Sequence, residues 1–178
     1  MKKLLLGALV GGIIVFGWQS LSWSVLNLHG PEYKQAPNQD AIIGSLGHLE
    51  EGQYMIPRTN ENASRKEMED FQKSMEGKPW AVVNYHKSLE SDMPMNVVRG
   101  LIVAIIAAFF VCWILMKQNS TFGITFMSTL LIGVAGYLFI PYSGHIWFEN
   151  PGATTHFIDA VVSWGLCGLW LGWWLNRK

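Results

Sequence analysis

Residues 1–28, MKKLLLGALVGGIIVFGWQSLSWSVLNL, decide how the rest of the chain is read. Two lysines followed by the apolar run Leu4–Leu26 have the positive start and apolar middle of an export signal. No small-x-small cleavage motif comes after it. The run continues through Trp18 and Trp23, too long and too aromatic for a typical cleaved signal, and it lacks the cysteine a lipoprotein needs. The expectation is therefore an uncleaved membrane helix.

Three more runs have the same character: Val97–Met116, Phe122–Tyr142 and the slightly shorter Phe157–Leu175. A hydrocarbon core of roughly 30 Å needs about 20 apolar residues to cross it. The expected fold is an all-α membrane bundle of four transmembrane helices, with a small α+β extracytoplasmic insert between helices 1 and 2. Its parts are residues 1–28, the insert 29–95, and residues 96–178 with an outer loop at 143–156.

Basic residues near the span ends set the threading. Lys2 and Lys3 precede the first span, Lys117 separates the second from the third, and Arg177 and Lys178 come after the fourth. Both termini are expected in the cytoplasm of a bacterium, the chain in its inner membrane, and the insert outside. Seven basic and eleven acidic residues make the insert net negative. That balance argues against nucleic acid and against an anionic lipid surface. The expected partners are the bilayer itself and other membrane subunits or further copies of the chain.

Small residues recur at four-residue spacing along the spans: Gly7 and Gly11, Ala104 and Ala108, Gly168 and Gly172. Such pairs let helices approach closely. Gln19, Ser20, Ser22 and Ser24 make the outer half of span one polar, which suits either a helix contact or a cavity wall. Trp170, Trp173 and Trp174, just before the terminal basic residues, read as an aromatic belt at the inner interface. Cys112 and Cys167 lie at depths differing by roughly 7 Å at 1.5 Å per residue, which disfavours a disulfide.

Within the insert, Asn38 is placed to cap a short helix running to about Glu50. Gly52–Pro57 and Trp80–His86 read as strands able to pair antiparallel. Between them Ser64-Arg-Lys-Glu67 is a capping box, and Met68, Phe71 and Met75 form the apolar stripe of the helix it opens.

The residues that can carry chemistry gather at the outer face: His29, His145, Glu149, His156 and Asp159. The last four fall in or beside Pro141–Trp164, PYSGHIWFENPGATTHFIDAVVSW, which joins the third and fourth runs. Imidazole and carboxylate together suit Zn²⁺ or Cu²⁺, and a histidine pair suits haem iron. Asp159 has two other uses, facing the dipole of its own helix or pairing with Arg99. No catalytic triad order or phosphate-cradling glycine loop is present.

Several segments in order carry a family resemblance: Trp-x-x-Leu-Ser-Trp at 18–23 with His29 beyond, Gly-Gln-Tyr-Met-Ile-Pro at 52–57, and Lys-Pro-Trp-Ala-Val-Val at 78–83. The aromatic loop at 141–149 and the Gly/Trp-rich last span complete the set. On these the chain resembles a family of small bacterial four-helix integral membrane proteins. The resemblance implies topology and carries no reaction. The functional expectation is a non-enzymatic accessory or assembly subunit without a cofactor. Its alternative is a redox protein holding zinc, copper or haem on the outer histidines.

Overall fold

The computed structural model describes residues 1–118 and 120–177; Asn119 in the expected inner link, and Lys178 among the terminal basic residues, lie outside them. The chain divides into two compact units, residues 1–34 with 92–178, and Gln35–Ser91. The second is narrower than the expected 29–95 insert, because His29, Gly30 and Glu32 fold with the helices.

The first unit holds four helices long and apolar enough, by length and composition, to cross a membrane. They are built on α1 (Lys2–Ser20), α4 (Met93–Leu115), α5 (Phe122–Phe139) and α7 (Ala153–Asn176). They stand in the order α4–α1–α7–α5, each antiparallel to its neighbour, while α4 and α5 at the ends of the row barely meet. The row is curved but open on one side.

Glycine explains the two tightest junctions. A Cβ on Gly12 would lie 2.5 Å from Ile105 Cα, so α1 and α4 touch backbone to backbone. Gly168 and Gly172 receive Phe126 and Phe122 of α5. Gly7 meets Cys112 and Trp174, and Gly11 meets Cys167 and Ala108. All six small residues singled out in the sequence thus lie within or beside contacts inside the chain, Ala104 and Ala108 being buried. Cys112 and Cys167 are buried free thiols.

Two of the tryptophans near the C-terminus also bond to the backbone of α1. Trp170 Nε1 donates to Gly7 O at 3.1 Å and Trp174 Nε1 to Lys3 O at 2.7 Å. The missing side chain at Gly7 lets an indole reach the helix backbone. Arg177 then lies over Trp174, 3.4 Å from the ring centre, a cation–π contact. Trp173 alone of the three is mostly exposed.

The expected loop at 143–156 requires correction. Pro141 opens a helix, α6 (Pro141–Phe148), and the connection to α7 is only the turn 149–152. Proline fixes φ near the helical value and lacks only an N–H that the first turn leaves unbonded, so it starts helices as readily as it stops them. Ile140 absorbs the bend, and Glu149 and Gly152 take left-handed conformations at either side of the turn.

The second unit is a hairpin with two helices. Strand β1 (Gly52–Ile56) pairs antiparallel with β2 (Ala81–Tyr85), Gly52 opposite Tyr85 and Ile56 opposite Ala81. Helix α2 is shorter than expected (Gln39–Leu46), and Asn38 is left-handed and makes no side-chain cap. Helix α3 (Arg65–Met75) begins at the complete capping box. Met68, Phe71 and Met75 line one cleft with Met55, Pro57 and Trp80.

Ser64 N–H donates to Glu67 Oε2 at 2.7 Å, and Glu67 N–H to Ser64 Oγ at 3.3 Å. The Ser64 bonds hold the Glu67 carboxyl below its ordinary pKa. Folding therefore favours the ionised form. Its contribution is present above the unfolded carboxyl's pKa and is lost as pH falls through the lowered folded value. Amide-exchange protection of α3 is expected to drop on acidification below about pH 4 and to become flatter with pH in Glu67→Gln.

Candidate metal centre

Span one does not end where α1 ends. Residues Leu21–Val25 continue as a π-helical turn, with Leu26 N–H bonded to Leu21 O at 2.8 Å. Such a turn inserts one extra residue and rotates the chain beyond it. Asn27, with φ +49°, then reverses the chain into a 3₁₀ turn at Gly30–Glu32. The result returns His29 and Glu32 against the start of α7.

His29 is 1% exposed. Trp23 lies flat on its ring, centroids 3.9 Å apart and planes within 6°. His29 Nε2 is 2.7 Å from Asp159 Oδ2, and Trp18 Nε1 donates to Asp159 Oδ1 at 2.9 Å. A carboxylate only accepts, so Nε2 carries a proton. In the neutral ring this leaves Nδ1 with a lone pair.

Glu32 lies beside that nitrogen. Nδ1 lies 2.7 Å from Glu32 Oε1, ion-pair distance, yet neither atom makes an aligned hydrogen bond and both are buried. His156 approaches the other side of the same carboxylate, Nε2 to Oε2 at 3.8 Å, with its ring centre 4.9 Å from that of His29. One donor atom each from His29, Glu32 and His156 lies within 4.8 Å of the others.

The turn before α7 is shaped for this group. Gly152 has φ +82°, a region side-chain-bearing residues rarely adopt. A Cβ there would also collide with the Glu32 carboxylate. Ser163 Oγ, one turn below Asp159, donates to its carbonyl at 2.6 Å.

Two lone-pair-bearing atoms in contact, buried and unbonded, repel unless a cation joins them. A proton does so; so does a metal ion. Two imidazoles and a carboxylate form a donor set suited to Zn²⁺ or Cu²⁺. The far nitrogen of His29 is already held by a carboxylate, as metal-ligating histidines almost always are. Tetrahedral bonds of about 2.0 Å put ligand atoms roughly 3.3 Å apart, so Glu32 would withdraw slightly and His156 close in.

Of the expected residues, the structure brings together His29, His156 and Asp159. Asp159 faces His29 and Trp18 rather than Arg99. His145 and Glu149 lie elsewhere, both exposed: His145 Nδ1 is 2.9 Å from Asn150 O, and Glu149 ends α6. Glu32 joins the group unannounced; the signal for it was His29-x-x-Glu32, a three-residue spacing within a Gly-Pro turn. Comparison with protein-family models, curated proteins and solved structures finds no match to this chain.

Proposed function

We propose that the chain is a multi-pass membrane protein that binds one divalent transition-metal ion, zinc or copper, at the end of its four-helix unit. His29 Nδ1, Glu32 and His156 Nε2 are the ligands; Asp159 and Trp18 orient His29. The observation that carries this reading is the buried contact between His29 Nδ1 and Glu32 Oε1 that no hydrogen bond satisfies. Lys2, Lys3, Lys117 and Arg177 all sit toward the opposite end of the row. The positive-inside rule then supports a bacterial inner-membrane protein with cytoplasmic termini and an extracytoplasmic metal and insert.

The accessory-subunit reading keeps one support, the open side between α4 and α5, because the small-residue pairs are spent inside the chain. The two readings separate on purification in mild detergent without chelator. Elemental analysis is expected to find about one zinc or copper per chain, with affinity about 10–100-fold weaker in Asp159→Asn and stoichiometric metal lost in Glu32→Ala. Metal content unchanged by Glu32→Ala, or none after loading, overturns the metal reading. A stoichiometric protein partner on a metal-free chain favours the accessory one.

A further inference from the structure

The open side of the helix row contains a cavity of about 620 Å³ whose floor is α1 and α7 and whose walls are α4 and α5. It is elongated. Val111 lines one part of it and Asp159 another. Val111 belongs to the stretch of α4 beside Gly7 and Gly11, whereas Asp159 is level with Trp18. Seven to eleven residues of α1 separate those levels, roughly 10–16 Å at 1.5 Å per residue.

Its two parts differ in chemistry. Phe110, Val111, Ile114 and Ile132 make one part wholly apolar. Around Asp159 stand Gln19, Tyr137 and His156, with the ring of Trp23 alongside; Trp164 lies farther along α7, against Gly133. The exposed amide of Gln19, facing a slot in hydrocarbon, lacks the water that would otherwise satisfy it. Asp159 accepts one bond at each oxygen, and an ionised carboxylate has about four acceptor sites. It can take another donor but offers none.

We infer that this cavity binds a lipid-soluble quinol: a flat, uncharged ring whose hydroxyl donates to Asp159, with its isoprenoid tail along the apolar walls. Each part of that ligand answers a feature of the site. The polar groups stand at one part only, which selects an amphiphile with a small head. Aromatic side chains flank that part, which selects a ring. The acceptor-only carboxylate, with Glu32 nearby, selects a hydroxyl donor and repels a phosphate headgroup. The separation of α4 from α5 supplies an entrance from the side.

This inference rests on the membrane placement proposed above and is independent of the metal. The probe is ubiquinol-2, kept reduced under nitrogen and titrated calorimetrically into the full chain in nanodiscs of phosphatidylethanolamine and phosphatidylglycerol. Saturable binding at about one per chain is expected, with ubiquinone-2 weaker by at least about tenfold, the loss for one hydrogen bond to a charged group. Gly136 lines the cavity and a Cβ there meets nothing within 4 Å. Gly136→Leu should fold and weaken ubiquinol-2 at least about tenfold by occupying its volume. Gly165→Leu, equally unobstructed but away from the cavity, should bind as the parent does. Glu32→Gln should lose metal and keep the quinol, which separates the two readings.

No saturable binding, equal affinity for quinone and quinol, or an unaffected Gly136→Leu overturns the inference. So does phosphatidylglycerol held mole for mole and displaced by no quinol. Release of the chain from membranes by alkaline carbonate would instead sink the placement on which it rests.

Discussion

His29→Ala protein is expected to lose its metal and to unfold at a lower temperature than the parent. The imidazole is the one nitrogen base lying between Asp159 and Glu32 at hydrogen-bond or ion-pair distance from both. Removing it leaves two carboxylates facing a cavity at the buried end of the unit, and leaves Trp23 stacked on nothing. Breaking a buried pair by deleting one partner typically costs about 3–5 kcal/mol. The double variant His29→Ala/Asp159→Asn should recover part of that loss, since it also removes a stranded charge. Thermal unfolding in detergent, followed by tryptophan fluorescence, measures both. A His29→Ala midpoint equal to the parent's would show that the cluster contributes nothing.

Gly12→Leu is expected to cost about 3 kcal/mol or more, from overpacking, and to part α1 from α4. The added carbon would meet Ile105 at its Cα and backbone N, 2.5 and 2.7 Å away. A side-chain tip can rotate aside; a backbone cannot. Relief therefore requires the helices to separate along their length, with loss of the contacts at Gly7 and Gly11. Gly17→Leu is the control, because a Cβ there meets nothing within 4 Å. Equal unfolding midpoints for the two variants would contradict the close approach of α1 and α4.

Much of this architecture was legible in the sequence because it depends on local signals. Four apolar runs declare themselves by length alone. The capping box at Ser64–Glu67 and the alternation at 81–85 are short-range patterns, and each produced the element it announces. The features hidden from the sequence were set by backbone turns. The π-helical turn at 21–25 has no residue signature, yet it swings His29 inward and carries Glu32 along. Pro141 carries opposite meanings at the end and at the start of a helix. Choosing wrongly made His145 and Glu149 look like neighbours of His156, when α6 takes them elsewhere. The partners of Trp18 and Trp170 were equally hidden, because nothing nearby in the chain announces Asp159 or Gly7.

The central place of α1 has a kinetic consequence. It precedes α4, α5 and α7 in the chain, yet its polar contacts with α7 join residues 141 to 171 positions apart. Loop closure over such spans must come before any of those contacts rewards it, and rates fall as average sequence separation rises. Assembly of this unit is therefore expected to be slow, with its last helix, carrying Asp159, setting the pace at which the histidine cluster can close.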